Sequence, residues 1–480
     1  MREWRWLWGA CAGIFLLTAA GMRAQCVPTA RTITTIGNVP SLVAGPIATS
    51  GTVLGLAKSD ITTGTPAVFF ATFNSSLNPL TPDRQIADSS ANGAVALVSN
   101  GSEFALFYQA QNLTMMMQRI DAIGNPIGAV IPIANHIWNA GDEFDVAYSP
   151  ARNVYGIART VTLGSDRGLY VTIISTTGTV ISDTLVSFFF SPPASPRLTP
   201  LPDGSFAMVW KRTGSDSQSL VFSIVAPSGS LKSNTVSERN VSDARIASDG
   251  STILIIYSSA VTGGTELRYA QFDLSASTTT ADSPFITGTG SDILPLQLQW
   301  NPALSEWTLT YIDAAFGFST FTETRLRRFP SPTTGTPSDT LLSPDPVHSR
   351  LTAPYPLVFL NGGYIGSIQT ITSRSLGSES YLVKLCPFFV TAAANPAVNH
   401  GFTPITFTAN PSGGTPAYTF NWEFGDNDSG QGQVVQHIYR TPGTYVATLT
   451  ARDAAGATVI LKVPVQIIAT TPGRQRAVKH

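Results

Sequence analysis

Residues 203–211 read DGSFAMVWK: a glycine turn pair, then alternating apolar residues, then an aromatic. The same form returns as NGSEFALFYQ at 100–109 and as DGSTILIIYSS at 249–259. Looser copies turn at Ser50-Gly51, Ala151-Arg152, Asn301-Pro302 and Asn361-Gly362, so successive turns fall 46 to 60 residues apart. A second glycine turn follows the third apolar run in several copies, at Gly124, Gly178 and Gly229. Runs of β-branched and aromatic residues bounded by Gly, Asn and Asp read as strands. No stretch shows a competing helical period.

Four short strands in each of about seven repeats of about fifty residues is the sequence signature of a β-propeller. A string of β-sandwiches would need units of about 100 residues, twice that period. The expected fold class is all-β: a propeller of about seven blades over residues 25–387, followed by an immunoglobulin-like sandwich at 388–469 and a polar, basic tail at 470–480. The repeats resemble the loose NG/DG-aromatic propeller repeats of many exported bacterial proteins. That resemblance implies a fold and no activity, since neither a WD dipeptide nor the kelch pattern is present.

The N-terminus opens with two arginines, continues with a run from Leu7 to Ala20 that is apolar apart from Thr18, and ends on small residues up to Ala24. This is the order of a secretory signal peptide, expected to span residues 1–24. The run is shorter than the roughly 20 residues a membrane span needs, and no later stretch supplies an anchor for the mature chain. Export to the periplasm, the cell surface or the medium is expected. Of the three cysteines, Cys11 lies in the leader, which leaves Cys26 and Cys386 on either side of the repeats. An exported pair suggests a disulfide; two free thiols are the alternative. A propeller brings its ends together, so the bridge would latch the ring, with a chain-entropy ceiling of about 5–6 kcal/mol. The segment ARTITTIGN, residues 30–38, would supply one strand of the closing blade.

Charged residues make up only 12% of the chain and the net charge is −1. No basic stripe precedes the tail GRQRAVKH, which excludes the clustered Lys and Arg that a nucleic-acid backbone demands. The expected partner is a polysaccharide or an envelope or surface protein, and the expected state is a monomer.

Residues 420–428 read FNWEFGDND and residues 437–445 read HIYRTPGTY. The positions Trp422, Phe424, Gly425, Asp426, His437, Tyr439, Pro442, Gly443 and Tyr445 resemble the motif of the polycystic kidney disease (PKD) domain, an immunoglobulin-like module. Glu423 and Asn427 depart from it, and asparagine tolerates the left-handed turn that the family fills with glycine. The resemblance implies a spacer or interaction module. The three clustered carboxylates would accept backbone N–H bonds in the turn. The competing reading is weak calcium binding through Asp426 and Asp428, the one cofactor considered.

No P-loop, HExxH, GxSxG or paired-cysteine zinc spacing occurs anywhere. The most polar inter-blade loop is ANHIWNAGDEFD, residues 134–145. There His136, Trp138 and Asn139 suit stacking on a sugar ring with hydrogen bonds to its hydroxyls, against the plainer alternative that Trp138 packs between blades. Arg197, Arg245 and Arg350 recur at the entrance to first strands. They would either ring one mouth of the channel and grip carboxylate or sulfate, or tie each blade to the next through loop carbonyls. Asp142, Glu143, Asp243 and Asp345 are the only acid/base candidates, and glycoside hydrolysis needs two carboxyls about 5–10 Å apart. The leading expectation is an exported non-catalytic binding protein, a propeller platform with a PKD spacer. The rival is a carbohydrate-active hydrolase or lyase.

Overall fold

A computed structural model of the chain describes residues 29–32, 42–60, 67–87, 95–110, 114–133, 143–163, 166–189, 193–213, 218–237, 239–262, 264–275, 278–287, 291–315, 322–332, 338–341, 357–360, 363–371, 378–385, 388–414, 417–454 and 458–469. Among the described residues there is no helix. Six four-stranded antiparallel sheets follow one another over residues 42–87, 95–132, 144–189, 193–237, 241–286 and 291–341, each with its strands in sequence order. The seventh takes three strands from residues 357–385 and its outermost strand, Thr29–Thr32, from the other end of the chain. These are seven propeller blades, numbered 1 to 7 in chain order.

In blades 1 to 6 the turns seen in the sequence join the first strand to the second, and Asn361-Gly362 lies outside the described residues. Gly51, Gly101, Gly204 and Gly250 all carry positive φ between the first and second strands. In the looser copies the left-handed position falls instead on Asn153 and Ser305. The hairpin between third and fourth strands repeats one hydrogen-bond pattern, with the N–H of Gly124, Gly178 and Gly229 donating three residues back to Asp121, Ser175 and Ala226. Blade 1 has the same turn with Leu77 in the left-handed position (φ 61°), its side chain fully buried.

Blades pack face to face through second strands. Gly55 of blade 1 leaves the space that the ring of Phe104 in blade 2 fills, and Gly156 of blade 3 does the same for Phe206 of blade 4. A Cβ on either glycine would come within 2.8 Å of the facing ring. The ring closes between blades 7 and 1, where Ile47, Leu54 and Leu56 share a core with Leu360, Ile365 and Leu382. Across the closing sheet Thr29 pairs with Lys384 and Thr32 with Tyr381, and Lys384 Nζ donates to the Ser75 carbonyl of blade 1 at 2.7 Å.

The second unit is a sandwich of a three-stranded sheet (Phe389–Asn395, Ile405–Ser412, Val434–His437) and a five-stranded sheet built around Gly443–Arg452 and Thr458–Ile468. Trp422, Phe407, Phe424 and Leu449 fill its core. His437 closes its strand rather than opening one, because the chain leaves the ladder through Pro442, which has no N–H to contribute, before the next strand starts at Gly443.

Candidate functional site

The innermost strands of the blades pack side by side and so line the central channel. Each runs from the blade-to-blade connection toward the tight turn that opens the second strand. The channel mouth opposite those turns is therefore bordered by the starts of the first strands. Four of these strands break register near that end, at Ala44/Ile47, Ala194/Arg197, Val241/Ala244 and Pro295/Gln297. A bulge re-aims side chains, and here it accompanies a band of polar groups.

Most of that band links neighbouring blades. Asp145 Oδ2 of blade 3 accepts the N–H of Leu198 in blade 4 at 2.8 Å, and the Glu143 carboxylate accepts the N–H of Ser195. Arg245 Nε of blade 5 donates to the Leu296 carbonyl of blade 6, and Gln297 Oε1 of blade 6 accepts the N–H of Leu357 in blade 7. Arg245 is 6% exposed and also donates to Asp243 Oδ1 (2.7 Å) and the Ala244 carbonyl (2.6 Å). It takes the blade-linking role.

Arg197 is different. It is half-buried on the innermost strand of blade 4, and its Nη1 donates to the neighbouring Pro196 carbonyl at 2.8 Å. It forms no ion pair among the described residues. The charges of Asp145, Asp243 and Arg245 all couple to one another or to Arg197. Burial pushes the Asp145 carboxyl above its ordinary value, opposed by the Arg197 guanidinium and the Leu198 and Val146 amides. Burial also pushes Asp243 up, but Arg245 and Arg197 outweigh it and the net shift is downward. Asp145 closes the polar loop 134–145 but was not among the acid/base candidates or given a role at the mouth. The signal that would have found it is its position, a few residues before the turn of its repeat, matching those of Arg197 and Arg245.

His136, Trp138, Asn139, Asp142, Asp345, Arg350, Cys26 and Cys386 lie outside the described residues, as does the leader at 1–24. Among the described residues no helix is long and apolar enough to cross a membrane.

In the second unit, Gly425 (φ 84°) and Asn427 (φ 75°) make the turn after Trp422 and Phe424. Asp426 Oδ1 accepts the Asp428 N–H at 3.3 Å, while Asp426 Oδ2 lies 2.8 Å from His437 Nε2. His437 stacks flat on Phe424, and the Tyr439 hydroxyl donates to the Phe424 carbonyl at 2.9 Å. Trp422 Nε1 donates to Gly432, and the Tyr445 hydroxyl to Thr441, two residues before Gly443. Asp426, His437 and Tyr439 thus anchor the turn and its flank, while Trp422 and Tyr445 fix the backbone at Gly432 and Thr441. One atom each from Asp426, Asp428 and His437 lies within 4.8 Å of the others, a set with fewer oxygens than the six to eight calcium takes.

Residues 387–465 match the family model of the PKD domain. No curated protein matches the chain. Among solved structures it is similar to the β-propeller domain of the Trilobed protease from Pyrococcus furiosus (9% identity, 72% of this chain and 93% of that one, TM-score 0.44). It is also similar to the polysaccharide lyase Uly1 (8% identity, 73% and 91%, TM-score 0.48) and to the WD40 domain of SCAP from fission yeast (7% identity, 91% and 98%, TM-score 0.39). Likenesses of this degree carry no argument about activity, and the blade count rests on the sheets themselves. The chain carries a PKD domain at residues 387–465, preceded by a seven-bladed β-propeller.

Proposed function

We propose that this is an exported, non-catalytic binding protein, a propeller platform for a glycan with a PKD domain as spacer. The observation that supports this reading is what the described acid/base candidates do. Glu143 lends its carboxylate to the Ser195 amide of the next blade. Asp243 is fixed by Arg245 and the Ala244 amide, and Arg245 and Arg197 hold it below its ordinary value despite burial, which suits a fixed hydrogen-bond acceptor and not a proton donor or acceptor working near neutral pH.

The purified chain would be incubated with a panel of polysaccharides, scoring co-sedimentation and release of reducing ends together. Retention without release, weakened in Trp138→Ala, supports the platform. Release that disappears in Asp142→Asn or Glu143→Gln overturns it in favour of a hydrolase or lyase. Calcium enters this proposal only at Asp426 and Asp428. A rise in melting temperature on adding calcium, lost in Asp428→Asn, supports that ligand, and no rise removes it.

A further inference from the structure

We propose that Arg197, with the carboxylates of Asp145 and Asp243 on either side, forms one binding site at the channel mouth for adjacent hydroxyls of a neutral sugar. The inference rests on the glycan-platform reading and names its site and ligand class. Its first ground is convergence. Asp145, Arg197 and Asp243 come from the innermost strands of blades 3, 4 and 5, which pack consecutively around the channel. All three side chains are half-buried, so they are held in place yet reachable.

The second ground is unspent hydrogen-bonding capacity. A guanidinium carries five N–H donors, and Arg197 places one on Pro196. Asp243 accepts from Arg245 Nη1 and the Ala244 amide on Oδ1, and its Oδ2 has no donor among the described residues. Asp145 is fixed by the Leu198 amide on Oδ2, which leaves lone pairs on a carboxylate that offers about four. Donors and acceptors thus alternate around the mouth, held by the Leu198 and Ala244 amides, the Pro196 carbonyl and the buried Arg245, an arrangement that binds with little reorganisation.

The third ground is charge. Two carboxylates face two guanidiniums, counting Arg245, so the site is balanced as it stands. A carboxylate or sulfate placed on Arg197 would meet Asp145 and Asp243, and like charges at such range oppose binding. A hydroxyl has no such conflict, because it donates to a carboxylate while accepting from a guanidinium. The sequence offered carboxylate or sulfate as one role for these arginines because spacing does not show that Asp145 and Asp243, two blades apart, come to lie on either side of Arg197.

The test is equilibrium binding of the full chain, Arg197→Gln and Asp145→Asn to xylan, mixed-linkage β-glucan and galactan as neutral probes, and to polygalacturonate and dextran sulfate as acidic ones. Each variant is first checked for a cooperative melting curve with a midpoint no lower than that of the wild type. The expected result is binding to at least one neutral probe that weakens about tenfold or more in both variants, with the acidic probes bound no better. Binding confined to the acidic probes would overturn the ligand class and leave the platform reading standing. Neutral binding untouched by either variant would overturn the site alone. Binding to none of the five would remove the platform reading and this site together.

Discussion

At the channel mouth, two carboxylates with one blade between them are pushed in opposite directions. Burial holds Asp145 above its ordinary value, so the folded state binds that proton more tightly than the unfolded chain does. As pH rises past the ordinary value of 3.8 and through the raised one, the charge it acquires subtracts stability. Asp145→Asn keeps an acceptor for the Leu198 amide. It is expected to raise the melting temperature at neutral pH, with the gain disappearing near about pH 3. Asp243 has the opposite sign. Its burial is outweighed by Arg245 and Arg197, so its charge adds stability above the ordinary value and loses it as pH falls through the depressed one. Asp243→Asn should lower the melting temperature at neutral pH, with the gap closing in acid. Equal shifts in both variants would contradict this assignment. The sequence showed the arginines of this band through their recurrence, but not their roles. A bulge in one strand and the backbone of the next blade decide which guanidinium is spent, and neither can be read from spacing. At Asn427 the sequence was more informative, since only a residue tolerant of left-handed backbone fits beside Gly425.

Between blades, two interfaces use the same device with different completeness. In blade 6 Glu306 holds Arg328 bidentately, and the Tyr364 hydroxyl of blade 7 donates to Glu306 at 2.8 Å while accepting from Asn301. In blade 2 Glu103 holds Arg119 in the same way, and Tyr155 of blade 3 comes in at the matching position. There the buried Tyr155 hydroxyl finds no hydrogen-bond partner among the described residues. Tyr364→Phe should therefore cost about 1–2 kcal/mol in denaturant unfolding, whereas Tyr155→Phe should be neutral or mildly stabilising. A second contrast concerns close approach. Gly55→Ala and Gly156→Ala would each drive a methyl group into a facing phenylalanine, with an expected cost of about 1–3 kcal/mol, while Gly51→Ala meets open space and carries only its backbone strain. Strand positions were legible because their alternation survives in each copy; Met115 and Met117 point inward with Met116 between them half-buried. The turn at Leu77 was hidden. A fully buried leucine there occupies the left-handed position that glycine marks in blades 2, 3 and 4, the core contact offsetting the backbone cost.

For the molecule as a whole, closure is what turns seven marginal sheets into one rigid ring. Blade 7 contributes only three strands of its own, and Thr29–Thr32 completes it from more than three hundred residues away in sequence. The sequence suggested this because Cys26 and Cys386 bracket the repeats. In the structure Thr29 and Lys384, three residues after one cysteine and two before the other, are direct partners. We propose on that register that the cysteines are bridged. Reduction should then lower the melting temperature of the wild type and leave a Cys26→Ser, Cys386→Ser chain unchanged; equal melting of reduced and oxidised wild type would remove the bridge. The ring itself can be tested without the cysteines. Amide hydrogen exchange across Thr29–Thr32 and Tyr381–Lys384 reads the closing pair directly. The account predicts that both segments are protected together, at a level set by opening of the whole propeller. Free exchange at Thr29–Thr32 while the inner strands stay protected would mean an open ring, and would contradict it.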